Sequence, residues 1–244
     1  MKQGYFSILE NVQLNDSVYK MKLKGDVSAI TKSGQFVNVK LDGLFLRRPI
    51  SVCDVEGDVL TIIYKVVGKG TEQLSKMQNG SLDILSGLGN GYDESLSGDS
   101  PLLIGGGVGV PPLYLLAKRL IAQGKKVSVI LGFNKKEEVF YFNEFKELGC
   151  EVLITTVDGS CGIKGFVTDG IDKVNYSYVY TCGPEPMLKA VYKKIFASGQ
   201  FSFEERMGCG FGACMGCSCK TLYKNKRICK DGPVLFKEEI IWEN

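Results

Sequence analysis

Five of the nine cysteines fall within one short stretch, in the order Cys209-x4-Cys214-x2-Cys217-x11-Cys229, with Cys219 in addition. An odd cysteine count argues against a disulfide framework, and the amino terminus, "MKQGYFSILENVQLND", lacks the apolar core of a signal peptide. A reducing cytoplasm is therefore expected, and clustered thiols there point to metal. The chain has no histidine, which removes imidazole ligands, His bases and His-based triads. Zinc would accept Cys214-x2-Cys217 as one knuckle, but zinc sites usually pair two, and Cys229 has no close cysteine after it. C-x4-C-x2-C with a later cysteine is the spacing of a plant-type [2Fe–2S] cluster. Gly208, Gly210, Gly212 and Gly216 let the loop curl and turn its N–H groups toward the sulfurs. The expected ligands are Cys209, Cys214, Cys217 and Cys229. Cys219 lies where the chain turns extended and would be carried past the cluster; the rival set uses Cys219 and frees Cys229. Cys53, Cys150, Cys161 and Cys182 are scattered, as small buried apolar residues are.

The remaining chain has two rhythms. Residues 1–97 contain short β-rich runs, "YFSILENVQL", "SVYKMKLKG", "GQFVNVKL" and "DVLTIIYKVV", punctuated by turn residues. They predict an antiparallel barrel or sandwich, with one short helix at "TEQLSKM" capped by Thr71. Residues 98–200 alternate apolar runs with helical patterns: "PLLIGGG", "VPPLYLLAKRLIAQG", "KKVSVILGF", "KEEVFYFNEFKELG", "EVLITTVDGS", "YSYVYTCGP" and "EPMLKAVYKKIFASG". That alternation predicts a parallel sheet wrapped by helices, with "QFSFEERM" as a further strand. Residues 201–244 form the cluster segment and a tail. A net charge of +3 is too small to argue for nucleic acid or an anionic membrane surface, and no apolar run is long enough to span a bilayer.

Gly105, Gly106, Gly107 and Gly109 lie between an apolar strand and a helix that opens at Pro111-Pro112. The arrangement suits a phosphate at a helix N-terminus, and equally a tight turn with no ligand, since the third glycine of the dinucleotide fingerprint is missing. "RRPIS" offers Arg48 for a bidentate pyrophosphate clamp and Ser51 for a flavin edge; a polar loop is the plainer reading. "YKVVGKGT" ends in a glycine turn at a helix start, a second anion site or a simple cap.

Taken together, R-P-x-S in a barrel, then G-G-G-x-G-x-P-P and "CGPEPML" in an α/β domain, resemble the ferredoxin–NADP reductase family. That resemblance implies FAD on the barrel, held by Arg48, Pro49, Ile50, Ser51, Ile63, Tyr64, Lys65, Gly70 and Thr71. It implies a nicotinamide dinucleotide near Gly105, Gly106, Gly107, Gly109, Cys182, Gly183 and Pro184. Cys182 has two open roles, beside the nicotinamide or in the core. With "ERMGCGFGACMGCSCK" and "CKDGPVL" added, the chain resembles the electron-transfer subunits of class B dihydroorotate dehydrogenase; the x11 gap before Cys229 is short for that pattern. The resemblance implies a cytoplasmic oxidoreductase subunit of pyrimidine (UMP) biosynthesis. It would carry electrons between NAD and the FMN of a catalytic subunit, through FAD and a [2Fe–2S] cluster, in a heterotetramer. No acid, base or nucleophile of this chain is needed for the pyrimidine chemistry. An NAD(P)H–ferredoxin oxidoreductase or sulfide dehydrogenase-type subunit is the alternative. After the second α/β strand, Lys135 and Lys136 suit a 2′-phosphate while Glu137 and Glu138 suit a ribose diol; the resemblance favours NAD.

Overall fold

The computed structural model describes residues 1–242; Glu243 and Asn244, the end of the predicted cluster segment, lie outside the described residues. Strands β1 (Lys2–Gln13), β2 (Val18–Lys24), β3 (Phe36–Val39), β4 (Arg48–Glu56), β5 (Val59–Lys65) and β6 (Ser81–Leu88) close an antiparallel barrel in the order β1-β2-β5-β4-β3-β6. Alternate side chains point inward, as a strand's period of two requires. Met21, Leu23, Val37, Val39, Leu60, Ile62, Leu82 and Ile84 thereby fill the barrel. The barrel was one of the two forms expected. β4 and β6 were not set apart in the sequence, because β4 starts in Arg-Arg-Pro and β6 ends among glycines, both poor strand signals.

Helix α1 (Lys69–Ser75) begins earlier than predicted. Its N-cap is Gly68; Thr71 sits in the first turn, where its Oγ1 accepts the N–H groups of Val67 at 2.9 Å and Gly68 at 3.3 Å. The hydroxyl thus satisfies the chain entering the helix, which corrects the expectation that Thr71 is the cap.

Strands β7 (Pro101–Gly106), β8 (Ser128–Phe133), β9 (Glu151–Thr156), β10 (Ile163–Lys164), β11 (Tyr178–Cys182) and β12 (Gly199–Ser202) form the predicted parallel sheet. Helices α2 (Pro112–Ala122), α3 (Phe142–Glu147), α4 (Thr168–Ile171) and α5 (Glu185–Lys194) connect them. Pro112 opens α2, where no intrahelical N–H is required. The predicted helix over 136–149 is instead a 3-10 turn at Lys136–Glu138 and the short α3. Phe140, Tyr141 and Phe145 are all drawn into the core there, and Tyr141 takes φ 64° to reach it. Beyond the sheet, β13 (Ser218–Lys220) and β14 (Asn225–Arg227) make a hairpin, and β15 (Val234–Phe236) returns antiparallel onto β12. The sheet order is β10-β9-β8-β7-β11-β12-β15, so the direction of winding reverses between β7 and β11. In open parallel sheets the crevice beyond such a reversal is where ligands bind.

Helix α2 locks the two halves together. Leu113, Leu116, Ala117 and Leu120 are fully buried toward the sheet while Leu115 enters the barrel's core. Burying each leucine contributes roughly 2 kcal/mol. Lys118 Nζ adds contacts across to Asp54 at 3.0 Å and Glu56 at 2.7 Å.

Candidate functional site

The predicted metal ligands come as two pairs. The side chains of Cys209 and Cys214 contact each other, and so do those of Cys217 and Cys229. Cys214 is exposed and Cys209 half-buried, whereas Cys217 and Cys229 are 3% and 1% exposed. Backbone N–H groups already converge on sulfur: Ala213 and Cys214 on Cys209 Sγ at 3.2 and 3.4 Å, Cys229 on Cys217 Sγ at 3.4 Å. For Cys209, desolvation pushes the thiol pKa up, but N–H bonds from Cys214, Phe211 and Ala213 outweigh it and bring it to about 6. Burial, then the contact with Cys217, pushes Cys229 the other way, to about 12. Among the described residues no three Cys, Asp or Glu side chains converge on one point. Two thiol pairs are the donor set of a two-iron cluster with two thiolates on each iron, so the residues fit that group. Cys219 stands apart, on β13, lining a second cleft with Glu205 and Trp242.

The barrel holds a parted seam. The β4–β5 ladder ends at Val52 opposite Ile62. Continuing its register would set Ser51 against Ile63 and Ile50 against Tyr64, but these residues pair outward instead, Arg48–Ser51 with β3 and Ile63–Lys65 with β2. Backbone donors and acceptors of both strands are therefore turned toward the seam without ladder partners. Arg48 lies at its end, with its guanidinium directly over Gly70, where a Cβ would collide with it. Among the described residues it has no carboxylate partner, and its one hydrogen bond is to the carbonyl of Leu46. Arg47 is bound on both sides: Nη2 meets Asp83 Oδ1 and Oδ2 at 3.0 and 2.9 Å and Nη1 the Asp83 carbonyl at 3.0 Å. Of two adjacent arginines, one is structural and one is uncommitted. Tyr64 points inward, stacked on Tyr19, with its hydroxyl donating to Asn11 Oδ1 at 2.9 Å, so only its backbone faces the seam. A flavin ring edge carries alternating donors and acceptors and its phosphates need a cation; the open ladder and Arg48 over Gly70 fit both needs.

A cleft of about 540 Å³ lies beyond the carboxyl ends of β7, β8, β9 and β11. Gly106, Gly107, Gly109, Gly183 and Pro184 line it, and Lys65 reaches it from the barrel. Gly109 packs so closely on the Cys182 carbonyl and Gly183 that any side chain would collide. Gly105 stands one layer back, where it lets Val110, in the turn before α2, and Leu113 of α2 approach β7. Cys182 is 3% exposed, behind the cleft wall, and burial pushes its thiol up to about 12, which matches the core role. Glu138 lines the cleft with its carboxylate accepting from Asn134 N and Nδ2 at 3.2 and 2.9 Å, whereas Lys135 and Lys136 are exposed outside it.

Two family models match the chain: the iron–sulfur cluster binding domain of dihydroorotate dehydrogenase B over residues 204–241, and the oxidoreductase NAD-binding domain over 103–193. The dihydroorotate dehydrogenase B (NAD+) electron transfer subunit of Fusobacterium nucleatum is 45% identical over 98% of this chain and 99% of its own. That of Bacillus pumilus is 45% identical over 98% of each. The chain belongs to the electron-transfer subunits of NAD-dependent dihydroorotate dehydrogenase B. It is thus an oxidoreductase subunit with a catalytic partner. Among solved structures, an NADH-dependent reduced ferredoxin-NADP oxidoreductase superposes with a TM-score of 0.88 at 31% identity, covering 97% of this chain and 90% of that one. A Neisseria gonorrhoeae ferredoxin NADP+ reductase with bound FAD and NADP shares the fold alone, with a TM-score of 0.70 at 17% identity over 80% of this chain and 90% of that one.

Three residues of the cleft were not among those expected to line it. Phe166, 65% exposed, and Met187 supply apolar walls from a loop and from α5. Glu204, just past β12, lies where this cleft meets the second one; burial of its carboxyl raises its pKa. Met187 lies inside "CGPEPML" but nothing local singles it out there, and only the fold brings the three to the strand ends.

Proposed function

We propose that this chain carries electrons between NAD in the sheet cleft and an FMN-containing dihydroorotate dehydrogenase subunit, by way of FAD in the barrel seam and a [2Fe–2S] cluster on Cys209, Cys214, Cys217 and Cys229. One observation carries the reading: the seam lies between the other two sites. On one side β5 packs against the Gly107–Gly109 turn and sends Lys65 into the cleft. On the other, β3, paired to Arg48–Ser51, meets the cluster loop through Asn38, whose Nδ2 donates to the Cys209 carbonyl at 3.4 Å. When bound, FAD takes up a hydride's electron pair and releases electrons singly, which is what joins a nicotinamide to a one-electron cluster.

The chain's own residues bind and orient. Arg48 and the first turn of α1, Gly70 and Thr71, hold flavin phosphates. Backbone groups of Pro49, Ile50, Ser51, Ile63, Tyr64 and Lys65 hold the ring, with the Ser51 hydroxyl as an added donor. Gly106, Gly107, Gly109, Gly183 and Pro184 let the dinucleotide approach the backbone, with Gly105 and Cys182 packing behind them. Glu138 in the cleft, and Lys135 and Lys136 outside it, favour NAD over NADP. Residues 1–97, 98–200 and 201–244 divide these three tasks. The family resemblance implies a cytoplasmic complex of two chains with two catalytic subunits; among the described residues no helix is long and apolar enough to cross a membrane.

The test is direct. The purified chain should be brown-yellow, reduce artificial acceptors with NADH, and leave dihydroorotate untouched until the catalytic subunit is added. Dihydroorotate turnover by the chain alone would overturn the proposal. The 31% identity to the NADH-dependent ferredoxin-NADP oxidoreductase supports a second reading, a ferredoxin-type partner. Capture of such a partner in place of the catalytic subunit would decide for it.

A further inference from the structure

Among the described residues, Asn38 is the one buried polar side chain that joins the seam strand to the cluster loop. It is 1% exposed, in the middle of β3, between Pro49 of β4 and Leu85 of β6. Along β3, Val37 and Val39 face the barrel core, while Phe36 and Asn38 face outward beneath the carboxyl-terminal segment. The Asn38 amide donates from Nδ2 to the Cys209 carbonyl, and the acceptor opposite fixes which way the amide points. Gly210, at φ 76°, lies against the same amide so closely that a Cβ there would collide with it. Pro49 has no N–H to offer its strand neighbour, and the Asn38 carbonyl accepts from Arg47 Nη1 at 3.4 Å instead.

The amide oxygen is different. Asn38 Oδ1 is buried and has no hydrogen-bond partner. An unpaired buried carbonyl is costly, and a leucine of similar size would fill the same space without that cost. A residue kept for packing alone would not carry it. We propose that Asn38 is a positioning residue for electron transfer, holding the Cys209–Gly210 end of the cluster loop at a fixed distance and orientation from the seam. The inference rests on the functional reading above. It assigns to Asn38 the coupling between the two groups, leaving hydride uptake to the cleft and seam.

The test mixes purified chain with NADH in a stopped-flow instrument and follows flavin bleaching and cluster reduction at separate wavelengths. Thermal unfolding and the EPR signal of the reduced cluster are recorded alongside. In Asn38→Leu, flavin bleaching should keep its rate, cluster reduction should slow about tenfold, since small misplacements of reacting groups have large kinetic effects, and thermal stability should hold or rise. Asn38→Asp sets a negative charge beside the Cys209 carbonyl; the cluster's EPR-monitored midpoint should move to lower potential. If NADH fails to reduce the cluster in the unmodified chain, the functional reading itself is wrong. If it does so and Asn38→Leu matches it in cluster reduction, only this inference is overturned. Loss of stability and of both rates together would show a structural role and overturn it equally. Should Asn38→Leu not fold, the same rates and the potential are read from Asn38→Asp, and no change in either refutes the inference.

Discussion

The barrel seam and the cluster loop, the proposed sites of two redox groups, are built in opposite ways. The seam is an opening in regular structure: two strands that run on past their shared ladder, with ligand-facing groups supplied mostly by backbone. The loop has almost no regular structure, and its ligand-facing atoms are side chains set by spacing, with Gly210, Gly212 and Met215 all at positive φ. A side-chain site of this kind is fragile to single substitutions of its ligands; a backbone site is not. The difference follows from where the donors reside. Changing one thiol removes a ligand outright, whereas no substitution deletes a peptide group.

The largest expected effect tests the loop. Cys229→Ser should abolish the cluster's EPR signal and iron content, and Cys219→Ser should leave both unchanged. The opposite pattern would mean that the two observed thiol pairs are not the ligand set. Next comes the adjacent pair of arginines. Breaking the Arg47–Asp83 contact leaves Asp83, 12% exposed in its side chain, without a counter-charge. Arg47→Ala should therefore cost about 3 kcal/mol of stability in urea denaturation. Arg48→Ala should leave stability alone and weaken flavin retention by about 2 kcal/mol, roughly thirtyfold. Full flavin content in Arg48→Ala would remove the arginine from the site and leave the backbone seam to hold the ring by itself. Gly70→Ala sharpens the same point from the other side, since the added methyl must displace the Arg48 guanidinium. Its flavin content should fall, while the cluster signal stays intact.

The smallest effect is a pH dependence at Glu204. Burial raises its pKa in the folded chain, so the folded state holds this proton more tightly than the unfolded one. The resulting penalty is absent below the unfolded carboxylate value and grows as pH rises through the folded one. Glu204→Gln should be the more stable protein at neutral pH, by a few tenths of a kcal/mol because solvent still reaches the residue. The gain should vanish in acid, and equal stability at every pH would mean that burial of Glu204 carries no penalty.

The four cysteines proposed as cluster ligands stand out in the sequence because all lie in one segment, and their spacing reflects a local constraint on how tightly a chain can curl. The alternating strands and helices, the glycine turn and the proline start of α2 were legible for the same reason: each is a property of neighbours in sequence. Thr71 was misplaced by two to three residues, because its hydroxyl serves either the helix or the chain entering it, and only the path of that chain decides. The long helix expected over 136–149 broke because burying Phe140 and Tyr141 outweighed helical continuity.

Nothing in "RRPIS" distinguishes its first arginine from its second; that depends on Asp83, thirty-odd residues away, reaching Arg47 and leaving Arg48 over Gly70. Nor does any local pattern reveal that β4 and β5 part at Val52 and Ile62, or that Asn38 beneath the cluster loop keeps a buried oxygen unpaired. The sequence alone determined the alternation of strands and helices after residue 98, which thiols can gather around a cluster and where glycine leaves the backbone open, since these depend on covalent spacing and local backbone freedom. The tertiary structure decided which backbone groups go unpaired, which of two like charges is already neutralised and in what order the three sites lie, since those depend on distant segments meeting.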